Sequence, residues 1–204
     1  MGTAEPNPPS ERRLARRAEL LDAALRAIRQ GQGHAAMEDI AAEAGISRPI
    51  LYRHFGDATG LYAAVADRFC QDLLARLRRS IAEEPPGRNL LRRQIVTYLA
   101  FIADDPDVYR FLIRQVPPDR PRSATHRSGF SRLVADGTAE YLESAGWRPE
   151  AALAGADLFI GGLEAAASRW VEEPSGSYEE LADQLTAVLW SGFRRAGETS
   201  ATPA

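Results

Sequence analysis

Arg48, Tyr52, Arg53 and His54 crowd a short stretch with groups able to hydrogen-bond to the bases and phosphates of a nucleic acid. A guanidinium at Arg48 can take guanine O6 and N7 together, and Pro49 and Ile50 can touch thymine methyls. Arg53 has the reach for a base or a phosphate. No comparable cluster suggests catalysis. His34, His54 and His126 are scattered, and none stands at zinc-ligand spacing from another His or from the single cysteine, Cys70. The chain carries no phosphate-cradling glycine loop and no nucleophile elbow, and Asp104-Asp105 before Pro106 reads as a helix cap. An enzyme, a metal site and a cofactor are therefore not expected, although an all-α active site can be assembled from distant residues.

The elements that must position these side chains lie in Met37–Phe55, MEDIAAEAGISRPILYRHF. Ile40, Ala41 and Ala44 share one face at helical spacing. Gly45 supplies the left-handed conformation that ends a helix cheaply, Ile46 plugs the turn, and Ser47 is a good N-cap for a second helix. Pro49 falls in that helix's first turn, where a missing N–H costs little. Ile50, Leu51 and Phe55 can face inward. Two short helices crossing steeply over a small Ala41 and a turn Gly45 make a helix-turn-helix, whose second helix suits the major groove.

The run IAAEAGISRPILYRHFGDATGLY resembles the signature of the TetR family of bacterial transcriptional regulators: Ile-Ala, then Ala-Gly-Ile-Ser, then Leu-Tyr-x-His-Phe, a polar turn and a Leu. The likeness covers residues 12 to 69. It implies an all-α protein of about nine helices, with an N-terminal three-helix DNA-binding domain and a C-terminal ligand-binding and dimerisation domain. It also implies that Tyr52 and His54 hold phosphates, against the alternative that Tyr52 is a core aromatic. Two positions depart from the family's pattern. Ala36 stands where a capping Thr is usual, which costs about 1 kcal/mol. Ala58 stands where a phosphate-contacting Lys is common; the Thr59 hydroxyl or helix-start N–H groups can substitute.

All 25 basic residues are arginine, and the net charge is −3. Eight arginines meet seven carboxylates in residues 1–55, and seventeen meet twenty-one in 56–204. That bias is too small to make a non-specific nucleic-acid binder, so the DNA reading rests on the motif. No uninterrupted apolar run of membrane-spanning length occurs, and the N-terminus has no signal-peptide design. A cytoplasmic protein without a membrane partner is expected. Cys70 lies in a helical pattern and reads as a packed thiol.

Along the chain, residues 1–11 are read as a disordered tail and 12–56 as the DNA-binding domain. Arg12, Arg13, Arg16 and Arg17 open the first helix, either as its solvated face or as a phosphate-contacting arm. Leu14, Ala18, Leu21, Leu25 and Ile28 form that helix's apolar stripe. Asp57 caps a linking helix over 57–84, and Pro85-Pro86-Gly87 opens an effector-binding and dimerisation domain over 85–197, followed by a tail over 198–204. Within that domain Pro149 starts a helix running to about Glu172, and Ser177 with Glu180 makes a capping box for the last helix. The resemblance places dimer contacts on these two helices: Leu158, Gly161, Gly162 and Ala165 on the first, Leu181, Leu185, Val188, Leu189 and Gly192 on the second. Burial within one chain is the alternative. Candidate effector-pocket residues are Tyr98, Phe101, Ile102, Tyr109, Leu112, Phe130, Val134, Phe159 and Trp170, each of which can equally be ordinary core.

The expected function is a homodimeric regulator, a repressor released from a palindromic double-stranded operator by a lipophilic small-molecule effector. Arg48, Pro49, Ile50 and Arg53 read bases; Arg12, Arg13, Arg16, Arg17, Ser47, Tyr52, His54 and Thr59 hold phosphates. The alternatives are a helical ligand-binding protein whose DNA binding has decayed, which Ala36 and Ala58 keep open, and a non-specific architectural DNA binder, which the negative net charge opposes.

Overall fold

The computed structural model describes residues 8–82, 85, 87–114, 135–136, 138–140, 142–143 and 146–200. Among them the ordered elements are all α-helical. The bounded helices are α1 (Pro8–Gln30), α2 (Met37–Glu43), α3 (Arg48–Phe55), α4 (Ala58–Ala82), α5 (Arg88–Asp104), α6 (Pro106–Arg114), α7 (Pro149–Glu172) and α8 (Tyr178–Ser200), with further helical residues between 135 and 143. The chain divides into two compact units. Unit 1 comprises the described parts of Met1–Phe69 and Asp105–Gln115, and unit 2 those of Cys70–Asp104 and Val116–Ala204.

In unit 1, α1 ends where the chain turns through Gln32 and Gly33, both at positive φ, and the Gly33 N–H reaches back to Ile28 O at 2.9 Å. α1 buries Leu20, Ala23, Ala24, Ala27 and Ile28, with Leu21 and Leu25 half-buried. The expected stripe is corrected at its N-terminal end: Leu14 is 64% exposed, and Ala18 is exposed too. The helix begins at Pro8, not Arg12, so its first turns run past the small core that α2 and α3 provide. The three buried alanines make α1's inner face narrow, and Ile40, Ala41, Leu51, Phe55, Leu61 and Ala64 pack with it.

The turn between α2 and α3 follows the expected chemistry. Gly45 sits at φ +64°, and Ile46 N–H bonds to Ala41 O at 3.0 Å. Ala36 offers no side-chain cap, but its own N–H donates to Asp39 Oδ2 at 2.9 Å, half of a capping box. Ser47 occupies the N-cap of α3 in extended geometry without a side-chain cap hydrogen bond. Its carbonyl accepts the Leu51 N–H at 3.2 Å. Asp57 caps α4 by accepting the Gly60 N–H at 2.7 Å.

α6 completes unit 1. Val108, Phe111 and Leu112 pack with Ile28 and Val65, and the Tyr62 hydroxyl donates to Leu112 O at 3.2 Å. Arg29 takes the Asp105 carboxylate with Nε and Nη2 at 3.1 and 2.7 Å, which raises the guanidinium pKa further. Residues 105–114, which fall within the span 85–197 expected as one domain, thus pack with the DNA-binding half.

Unit 2 holds the rest of α4 with α5, α7 and α8. Reciprocal bonds between Ser177 and Glu180 cap α8 at 3.0 and 3.2 Å, and Arg92 on α5 pairs with Asp183 on α8 at 2.5 Å. Buried hydroxyls bond within their own helices: Ser80 to Leu77 O and Thr186 to Ala182 O. α7 is long and apolar enough to cross a bilayer by length and composition alone. Its Ala152, Ala156, Phe159, Leu163, Ala167 and Val171 are buried inside unit 2. α8 continues to Ser200, beyond the 197 boundary expected from sequence.

Candidate nucleic-acid interface and ligand cavity

α3 presents two faces. Leu51 and Phe55 are buried; Ser47, Arg48, Pro49 and Arg53 are exposed; Ile50, Tyr52 and His54 are half-exposed. Arg48 is held in place. Its guanidinium bonds to the Glu38 carboxylate on α2 and to the Tyr52 hydroxyl at 3.0 Å, with the Tyr52 ring centroid 5.6 Å away. The Tyr52 hydrogen bond and the Glu38 charge raise its pKa above the ordinary arginine value. Tyr52 is therefore a surface partner of Arg48 and not a core aromatic.

The basic arm divides. Arg12 and Arg13 are exposed, and Arg16 pairs with Glu19 at 2.7 Å. Arg17 lies over the Phe55 ring, 4.5 Å from its centroid, and donates to His54 O at 3.4 Å. It thus packs the C-terminal end of α3, where a cation also suits the helix dipole. Thr59 is exposed in the first turn of α4.

Unit 2 holds a half-open cavity of about 450 Å³ between α4, α5, α7 and α8, with Thr138 and Leu142 at its wall. Of the sequence candidates, Tyr98 and Phe159 line it. Phe101 and Ile102 are buried elsewhere in the unit, Phe101 under the Arg76 guanidinium at 4.8 Å. Tyr109 and Leu112 belong to the core of unit 1. Trp170 fastens the α7–α8 turn by donating its indole N–H to Gly176 O at 3.2 Å. Phe130 and Val134 lie outside the described residues. Sequence reasoning missed Leu74, Leu77, Arg78, Ile81, Leu90, Leu91, Gln94, Ile160, Leu163, Glu164, Trp190 and Phe193. The leucines that α4 and α5 give to the wall sit on ordinary apolar helix faces, and nothing in their spacing marks a gap beside them.

The face expected for dimer contacts is open on both helices. Leu158 is 65% and Val188 72% exposed. Ala165 is exposed as well, and a Cβ built at Gly161, Gly162 or Gly192 would meet no atom within 4 Å. Leu181 and Leu185 are half-buried and Leu189 is buried, on the inner side of α8.

Comparison with known proteins agrees with this geometry. Residues 20–65 match the model of tetR-family bacterial regulatory proteins, and residues 86–192 that of a tetracyclin repressor-like C-terminal domain. An uncharacterized HTH-type transcriptional regulator of Mycobacterium tuberculosis is 31% identical over 185 residues, covering 90% of this chain and 79% of the relative. The HTH-type transcriptional activator FasR of Mycolicibacterium smegmatis is 33% identical over 110 residues, 53% of this chain and 50% of that one. The crystal structure of a TetR-like transcriptional regulator from Rhodococcus sp. RHA1 superposes with a TM-score of 0.65 at 28% identity, covering 88% of this chain and 96% of that one.

Proposed function

The chain belongs to the TetR family of bacterial regulatory proteins, and from that premise we propose a homodimeric repressor that a lipophilic small molecule releases from a palindromic operator. The observation that carries this reading is the outer face of α3, where Ser47, Arg48, Pro49 and Arg53 stand clear of the core on a helix that Leu51 and Phe55 anchor. Arg48 and Arg53 reach base edges and Pro49 and Ile50 contact thymine methyls, while Ser47, Tyr52, His54, Thr59, Arg12, Arg13 and Arg16 take phosphates. Arg17 contributes by holding α3 in place. Two copies joined through the open faces of α7 and α8 form a four-helix bundle and present two copies of α3 to successive half-sites.

The effector binds in the cavity of unit 2 and must favour the state that does not bind DNA; DNA then weakens effector binding by the same factor. Decayed DNA binding is the weaker reading, because the missing side-chain cap at Ala36 is offset by the Asp39 bond and the turn keeps its geometry. Selection of bound fragments from a random DNA pool, at near-physiological salt, tests the proposal. The expected product is a palindrome, with Arg48→Ala relaxing the preference at one base pair of each half-site and Arg16→Ala weakening all sequences evenly. Recovery of no motif by folded, dimeric protein overturns it. Because FasR is named an activator, a promoter-reporter pair is the assay that reads the sign of regulation.

A further inference from the structure

We propose that the cavity of unit 2 takes an amphiphile with an apolar body and a single negative charge, the charged group being held at Arg78. The inference rests on the effector reading above and names the chemistry of the molecule that enters. Leu74, Leu77, Leu91, Phe159, Leu163 and Phe193 make the walls apolar, and a volume of about 450 Å³ falls among small-molecule sites. Apart from the Tyr98 hydroxyl and the Trp190 indole N–H, the polar side chains at the lining are Arg78, Gln94, Thr138 and Glu164.

Three of those four are engaged by the protein. Gln94 Nε2 donates to Ser80 Oγ at 2.7 Å, and that hydroxyl donates onward to Leu77 O at 2.9 Å. Thr138 and Glu164 have protein partners of their own. Arg78 differs: among the described residues it makes no ion pair, whereas Arg76 pairs with Asp104 and Arg92 with Asp183. It is exposed as well as lining the cavity, which puts this residue at the solvent edge of an apolar chamber. A guanidinium cannot shed its proton to suit such a place. An anion at that edge supplies the missing partner, with charge-assisted and bidentate bonds open to a carboxylate or sulfonate. A cationic amphiphile meets repulsion there, and a neutral one leaves the charge unpaired. Glu164 on another wall sets the upper limit, because a second negative charge on the ligand would face it.

Trp190 lines the cavity and reports on its filling. The full chain is titrated with dodecanoate and dodecyltrimethylammonium below their micelle concentrations and with dodecanol below its solubility limit, following tryptophan fluorescence; Trp190→Phe shows which part of the signal comes from the cavity. Dodecanoate is expected to bind about tenfold or more tightly than the other two. Arg78→Gln should remove that advantage while leaving dodecanol binding as it was, which also shows that the variant is folded. The proposal is overturned if dodecanol or the cation binds as tightly as dodecanoate, if Arg78→Gln keeps the preference, or if none of the three binds. Each titration is repeated with selected operator DNA present. Selective dodecanoate binding that leaves DNA affinity unchanged supports the ligand class and refutes release by effector. Operator binding without dodecanoate binding refutes the ligand class alone.

Discussion

Gly33→Ala should destabilise the protein by about 2–5 kcal/mol, from two separable causes. Gly33 is buried at φ +83°, where an L side chain clashes with its own backbone, at a cost of about 1–2 kcal/mol. A methyl group there would also lie 2.8 Å from the Arg110 Cβ and 3.1 Å from Asp107 O. Neither atom is the free end of a side chain, so α6 must shift, and overpacking of this kind costs about 1–3 kcal/mol. Gly45→Ala separates the causes, because Gly45 has φ +64° but no atom within 4 Å of a built Cβ. It should lose only about 1–2 kcal/mol. Urea unfolding of the full chain, followed by far-UV circular dichroism, compares the two variants. Hydrogen exchange over residues 106–114 should accelerate in Gly33→Ala and stay unchanged in Gly45→Ala. A Gly33→Ala protein no less stable than Gly45→Ala, with exchange in α6 unaltered, would refute the claim that close packing at Gly33 seats α6.

Val188→Glu should leave the monomer folded, since the side chain is 72% exposed, but give a monomer by sedimentation at micromolar concentration and abolish tight palindrome binding; an unchanged dimer would remove α8 from the interface. The hydrogen bond from Arg92 holds the Asp183 carboxylate below the ordinary aspartate range. A depressed folded-state pKa stabilises the fold above the unfolded value of about 4, and the contribution is lost as pH falls through the folded value. Asp183→Asn should therefore lower stability at pH 7 and flatten its decline between about pH 5 and pH 2, read from urea midpoints across that range. An unaltered slope would show that the pair contributes nothing in solution.

The turn unit was legible in the sequence because its determinants are local. Ile40, Ala41, Leu51 and Phe55 are buried where their spacing puts them, and Gly45 adopts the left-handed conformation that a turn at that position needs. Leu14 and Ala18 misled because a helix that outruns its core keeps the periodicity of one that does not. On sequence Tyr109 and Leu112 fall in the effector domain because they follow α5; the contacts with Ile28 and Val65 that draw α6 to the first unit lie far away along the chain. The cavity was hardest to see. Periodicity says that Leu91 faces inward, but not that four separate helices leave a space beside it. Trp170, which looks on sequence like a pocket wall, has its indole N–H satisfied by Gly176 O at a helix turn.

That α6 joins a unit otherwise built from the first sixty-nine residues has a consequence for how the chain acquires its structure during synthesis. The cluster around Leu20, Ile40, Leu51 and Leu61 is complete once Ala64 has left the ribosome, so the turn unit can settle early. Ile28 and Val65 must wait for Val108, Phe111 and Leu112, which follow after α5 has also emerged. At bacterial elongation rates of about 5–20 residues per second, that interval lasts a few seconds, during which an apolar flank stays uncovered. A fragment cut after Phe69 would lack Val108, Phe111 and Leu112 altogether. It would keep the groove-facing helix and lose its support on the other side, so a DNA-binding half isolated by truncation needs residues 105–114 supplied from elsewhere to be whole.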